Sequence, residues 1–279
     1  MIREIDCAGK VLDLSTPQVM GILNVTPDSF SDGGRFAIAK SAIQQTAIML
    51  EQGAGIIDVG GESTRPGAAD VSLNEELDRV IPVIEKIARE FDTIISIDTS
   101  KPEVMDAAIK AGAGFINDVN ALRGEGALEA AVKLGVPVCL MHMQGMPRTM
   151  QTAPSYEHVT KDIIDFLSER IQACIDIGFR NEQLLVDPGF GFGKTLEQNC
   201  QLMRELNTFK ELDCPVLVGV SRKSMIGQIL DVDVDERLIG SVALETLAVW
   251  QGANIIRAHD VREAMDAVKV AAAVKMAGL

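Results

Sequence analysis

Short apolar runs of β type recur along the chain at 19–23, 56–59, 94–97, 115–116, 137–141, 184–186, 216–220 and 254–257. Amphipathic stretches separate them. The clearest covers 73–91, where Leu77, Val80, Ile81, Ile84 and Ile87 follow a 3.6-residue period. Gly53, Gly112, Gly135, Gly178 and Gly252 stand where a helix must stop and a strand begin, a place that favours a left-handed cap. Pro215 serves the same purpose before the seventh run. Eight strands alternating with helices predict a parallel sheet. The count favours a closed (β/α)8 TIM barrel over an open doubly wound sheet. Outside the repeat, 2–7 and 11–14 flank Ala8-Gly9-Lys10 and predict a short N-terminal β-hairpin plugging the N-terminal end of the barrel. No linker-like stretch or shift in composition divides the chain, so a single barrel domain over 1–279 is expected.

Composition narrows the function. Apolar residues make up 47% of the 279 positions, ample for one large core. A net charge of −14 argues against a nucleic-acid or membrane-surface role. It leaves room for a small anionic substrate, because screening over about 8 Å lets a local basic cluster act despite a distant acidic surface. Five widely spaced cysteines without a C-x-x-C pattern fit a reducing cytoplasm better than a disulfide framework or zinc site. No signal peptide or membrane span is visible.

Candidate chemistry gathers where the apolar runs stop, the face on which barrel enzymes carry their active sites. Those positions are Asn24, Asp58 with Glu62 nearby, Asp98, Asn117, His142, Asp187, Ser221, and Arg257 with His259. The stretch 24–34 is longer than a strand-to-helix turn needs. It sets Asn24, Thr26, Asp28, Ser29, Ser31 and Asp32 around one aromatic, Phe30, as an active-site loop would. Asp98, Asn117 and Asp187 offer acceptors to a planar ring rich in N–H groups. Thr64-Arg65, Arg222-Lys223, Arg257 and His259 suit a phosphate or diphosphate. Asn24 and Asp32 supply oxygen ligands for a hard cation such as Mg2+. The run 189–195 resembles a P-loop but has Pro188 where the first glycine is required, so it predicts close backbone approach to a flat ligand, with Phe190 or Phe192 as a wall. His142, between two methionines, reads as packed rather than ligating, and His158 as the start of a helix.

The segments 21–34, 57–67, 187–194, 221–227 and 257–260 together resemble the bacterial dihydropteroate synthase family, in the right order over essentially the whole chain. The resemblance implies a (β/α)8 barrel that joins 6-hydroxymethyl-dihydropterin diphosphate to para-aminobenzoate and is the target of sulfonamides. It implies a pterin pocket of Asp98, Asn117, Asp187 and Lys223 with Met141 as an apolar wall. It places the diphosphate on Thr64, Arg65, Arg257 and His259, Mg2+ on Asn24 and Asp32, and aminobenzoate among Phe30, Pro66, Phe192 and Ser221. Asn24, Asp32, Arg65, Lys223, Arg257 and His259 are the residues expected to carry catalysis, by a dissociative displacement in which the diphosphate leaves first. A pterin-binding methyltransferase barrel would have little use for the diphosphate cluster, and a non-catalytic pterin-binding relative would be expected to have lost Arg65, Lys223 or Arg257, all of which are present. Finally, 238–250 is apolar on more than one face, so a homodimer through this helix and the alanine-rich last helix is expected, as the resemblance also implies.

Overall fold

The computed structural model describes residues 2–25, 35–63, 70–145, 150 and 154–277. An antiparallel hairpin of β1 (Glu4–Cys7) and β2 (Lys10–Asp13) comes first. Eight parallel strands follow: β3 (Gln18–Asn24), β4 (Ile56–Gly60), β5 (Ile94–Asp98), β6 (Phe115–Asp118), β7 (Val138–Met141), β8 (Leu184–Asp187), β9 (Leu217–Val218) and β10 (Ile255–Ala258). Their order is β8-β7-β6-β5-β4-β3-β10-β9, and a parallel bridge between Val186 and Val216 joins the two ends into a barrel. The helices alternate with these strands: α1 (Arg35–Glu51), α2 (Leu73–Glu90), α3 (Pro102–Ala111), α4 (Ala127–Leu134), α5 (Val159–Ile177) and α6 (Leu196–Arg204) each between one strand and the next, α7 (Ser224–Leu230) and α8 (Leu238–Gln251) both between β9 and β10, and α9 (Val261–Met276) after β10.

Local chemistry accounts for the boundaries. Ser72 caps α2 reciprocally: its hydroxyl accepts the Glu75 N–H, and the Glu75 carboxylate accepts the Ser72 N–H. Such a cap contributes about 1 kcal/mol. The five helix-ending glycines have φ between 69 and 118°, as their positions predicted. The expected strand at 216–220 is reduced to the two residues of β9: Pro215 has no N–H to give, and the Val216 N–H is taken by the Asn254 side chain at 2.9 Å instead of a neighbouring strand.

Strand periodicity divides the barrel into two surfaces. Outward residues such as Val19, Leu23, Ile57, Val59, Ile95, Ile97, Val186 and Val218 pack against the helices in the main core. Inward, each of the eight strands contributes one residue to a lower layer: Met20, Ile56, Ile94, Phe115, Cys139, Leu185, Leu217 and Ile255. Ile5, Cys7, Leu12 and Leu14 of the hairpin close over this layer, so the hairpin is the N-terminal plug. Two residues further along each strand the side chains again point inward, now at the open end. Those positions are Ile22, Asp58, Ser96, Asn117, Met141, Asp187, Gly219 and Arg257. The apolar plug and the polar mouth are thus one pattern of period two read at two heights.

Candidate active site

Arg257 lies at the centre of the mouth. Its Nε donates to Asp58 Oδ2 at 2.6 Å and its Nη2 to Asp98 Oδ2 at 2.8 Å. Asp58 is wholly buried, and the same Oδ2 accepts Asn117 Nδ2 at 3.2 Å while Oδ1 has no partner. Burial pushes the Asp98 carboxyl up to about 7 against the opposing charge of Arg257, with Asp58 and Asp118 adding to the rise. Burial alone would lower the Arg257 guanidinium, but Asp58 and Asp98 outweigh it and hold the pKa above its ordinary value. Four strands therefore meet in one network of two carboxylates, an amide and a guanidinium.

A second group forms across β7, β8 and the segment after β9. Asp187 Oδ1 accepts the Gly189 N–H at 2.7 Å, and burial raises its carboxyl while the Lys223 charge opposes the rise. Lys223 donates to the Phe190 carbonyl and sits 4.7 Å above the Phe192 ring, a cation–π contact. Burial brings its ammonium down to about 8, opposed by Asp187. Met141, Met143 and Met150 cluster with Phe192 as an apolar side of the mouth. Phe192 is thus the wall expected of this segment, whereas Phe190 belongs to the core.

The glycine-rich segment after β8, expected to bring backbone close to a flat ligand, brings it close to the backbone that follows β7. A Cβ on Gly189 would stand 1.9 Å from the His142 carbonyl oxygen, so only glycine, at φ +71°, allows this approach. Lys194 is buried, and its Nζ meets three acceptors: Gly189 O at 2.7 Å, Phe192 O at 3.0 Å and His142 Nδ1 at 3.1 Å. An ammonium has three N–H groups to give, so Lys194 is a complete internal clamp. His142 is packed edge-on against Phe166, 4.9 Å between ring centres, and burial with the Lys194 charge pushes its pKa down to about 2. His158 caps α5 by accepting the Lys161 N–H. Lys194→Met is expected to leave three buried acceptors unpaired and to lower stability by at least about 2 kcal/mol. Urea denaturation checks this; an unchanged midpoint would remove the clamp.

Ser221 and His259 complete the rim. Ser221 Oγ accepts the His259 N–H at 3.1 Å and stands 3.1 Å from His259 Nδ1. Arg222, counted in the sequence among the phosphate-binding cations, is instead engaged by both oxygens of Asp260, with Nε 2.8 Å from Oδ2. It holds a left-handed turn at φ 57°. Glu62, also near a strand end, is taken by Lys101 at 2.5 Å and by the Val71 N–H at 3.0 Å.

Of the residues singled out in the sequence, Asn24, Asp98, Asn117, Met141, Asp187, Phe192, Ser221, Lys223, Arg257 and His259 fall at this end of the barrel. Phe30, Asp32, Thr64, Arg65 and Pro66 lie outside the described residues. Asn24 ends β3, and a Cβ on neighbouring Gly60 would be 3.7 Å from its Oδ1 and 3.5 Å from Asp98 Cβ. Among the described residues no three His, Cys, Asp or Glu side chains group to enclose a metal. One amide oxygen at the mouth nevertheless fits a hard cation that keeps most of its waters. Asp58 was named in the sequence only as a strand-end position, with no ligand or partner, and Lys194 was given no role. The two-residue step from Ile56 to Asp58 was the signal for the first.

Such a mouth defines a barrel enzyme for an anionic substrate with a planar, N–H-rich ring, and residues 20–259 match the family described as Pterin binding enzyme. Over 262 residues the chain is 56% identical to the dihydropteroate synthase of Escherichia coli (strain K12), covering 94% of this chain and 93% of that one. The Yersinia pestis dihydropteroate synthase, solved with a sulfonamide drug complex, is similar with a TM-score of 0.94 at 52% identity, covering 98% and 100% of the two chains. The Xanthomonas albilineans enzyme with 4-aminobenzoic acid gives 0.93 at 49%, covering 99% of each. The chain belongs to the dihydropteroate synthase family of pterin-binding enzymes, and it is a transferase.

Proposed function

We propose that this protein joins 6-hydroxymethyl-7,8-dihydropterin diphosphate to para-aminobenzoate, giving 7,8-dihydropteroate and pyrophosphate in folate biosynthesis. The observation that carries this reading is the shared floor, where the acceptors Asp98, Asn117 and Asp187 are buried beside the cations Arg257 and Lys223. The acceptors match the N–H edge of a pterin, with Met141 against its face. Arg257 and His259, with Thr64 and Arg65 of the second loop, take the diphosphate. Phe192 and Ser221, with Phe30 and Pro66, take aminobenzoate, and a sulfonamide is expected to compete there.

The bond from the methylene carbon to the diphosphate oxygen breaks with its electron pair leaving on the oxygen. The dihydropterin ring spreads the resulting positive charge. The aromatic amine then bonds to that carbon and loses its proton to pyrophosphate or water. No side chain has to act as a nucleophile. Arg257, Lys223 and His259 hold the departing charge, which is transition-state electrostatics. Met141 and Phe192 keep water from the cationic carbon. Asn24, with Asp32, would hold Mg2+ on the diphosphate, where the ion supplies Lewis-acid stabilisation of its oxygens. The test is Mg2+-dependent pyrophosphate release from the pterin diphosphate, with and without para-aminobenzoate. Release that ignores aminobenzoate, with no dihydropteroate formed, would reject the reading.

The same reading treats residues 1–279 as one barrel unit working as a homodimer. On α8, Ser241, Glu245, Ala248 and Val249 are buried, whereas Ile239, Leu247 and Trp250 are exposed. Val270 and Val274 on α9 extend this exposed apolar face, and the two helices pack together. A face of that kind favours burial against a second copy. Light scattering at micromolar concentration is expected to give a dimer, and Leu247→Glu with Trp250→Glu a monomer. A wild-type monomer would refute it. Five free cysteines fit a cytoplasmic location, and no helix among the described residues is long and apolar enough to cross a membrane.

A further inference from the structure

We infer that Asp58, which touches neither proposed substrate, is the positioning residue that holds Arg257 and Asn117 in their working orientations through a single carboxylate oxygen. This rests on the reading of Arg257 and Asn117 as substrate-binding groups. Asp58 Oδ2 accepts Arg257 Nε at 2.6 Å and Asn117 Nδ2 at 3.2 Å. An amide that gives its N–H to a carboxylate must turn its carbonyl oxygen elsewhere. Asp58 therefore sets Asn117 to present an acceptor, the polarity that a ring N–H needs. The guanidinium is held at Nε, the one nitrogen inside its stem, which leaves both Nη groups available. Nη2 is bonded to Asp98 Oδ2 at 2.8 Å. A pterin that takes Asp98 for its own N–H groups releases Nη2, and the grip at Nε keeps the freed guanidinium beside the diphosphate. Arg257 thus exchanges one partner and retains the other. The placement of Asp58 suits an anchor: it is wholly buried, one step above the apolar plug layer and level with Asn117 and Arg257, the two groups it holds.

The test is a double-mutant cycle on Asp58→Asn and Arg257→Ala, read as kcat/KM for the pterin diphosphate and as stability. Asp58→Asn alone is expected to lower kcat/KM by about 30-fold, within the range of coupling between contacting residues. In the Arg257→Ala background the same change is expected to cost less than about 3-fold. Stability should change sign: Asp58→Asn weakens the wild type but relieves Arg257→Ala of an unpaired buried carboxylate. Full and equal loss in both backgrounds would overturn the positioning role. If Arg257→Ala itself leaves kcat/KM intact, the substrate-binding reading of Arg257 fails instead. Should Asp58→Asn not fold, the Arg257 Nε–H signal in 15N-labelled wild type, assigned by its absence in Arg257→Lys, decides. Slow hydrogen exchange there both before and after adding a pterin supports the anchor, and fast exchange in the pterin complex overturns it.

Discussion

Replacing Arg257 by alanine is expected to lower kcat/KM by about 10²–10³-fold, the loss typical when one preorganised partner for developing negative charge is removed. The same change leaves Asp58 and Asp98 buried together without their cation. Breaking a buried pair from one side costs about 3–5 kcal/mol. The cost should depend on pH. Asp98 already titrates near 7 because burial outweighs the opposing Arg257 charge, and removing that charge raises its pKa further. A carboxyl whose folded pKa lies above its unfolded value stabilises at low pH and loses that contribution as pH rises through the folded pKa. The variant should therefore be closer to wild type in stability at pH 6 than at pH 8, as thermal or urea unfolding at the two values will measure. Lysine at 257 should rescue little, because a single ammonium cannot reproduce the fork that spans Asp58 and Asp98. A loss of stability equal at both pH values would exclude the buried carboxylates as its cause.

The second large effect is expected from Asp187→Asn. Asp187 has three tasks: it accepts the Gly189 N–H, opposes the loss of the Lys223 proton and faces the proposed pterin edge. The amide can still accept from Gly189, but it presents one acceptor fewer and no charge to the ring. Pterin affinity should fall by about 1.5–3 kcal/mol, the worth of one charge-assisted hydrogen bond. A pH signature should accompany the loss. In the wild type kcat/KM should rise through about 7 as Asp98 loses its proton and fall above about 8 as Lys223 loses its own. Without the Asp187 charge, burial acts on Lys223 with less opposition, so the alkaline limb should move to lower pH. The variant should accordingly suffer more at pH 8 than at pH 6.5. Calorimetric binding of a pterin and a pH–rate profile test the two parts separately. An unmoved alkaline limb would separate Lys223 from Asp187.

Local sequence pattern and tertiary contact decide different features of this protein. Short apolar runs, period 3.6 between them and glycine at the helix ends were local properties, and these carried the barrel, the hairpin and the face on which chemistry sits. Asp98, Asn117, Asp187, Lys223 and Arg257 were visible for the same reason: each lies at or just beyond the end of an apolar run. What local pattern could not carry was which charge meets which. Arg222 and Arg257 look equivalent in the sequence, yet Asp260 occupies Arg222, while Arg257 is held between two strands distant in the chain. Lys194 had no role legible in its glycine-rich run, and packing turned it inward onto His142 and two carbonyls. Asp58 was marked in the sequence as a strand-end carboxylate without a partner, until the closed barrel brought Arg257 and Asn117 to the same oxygen. Pairings over such separations are decided by barrel closure and by the cost of burying a charge alone, and neither is a property of any stretch of chain shorter than the barrel.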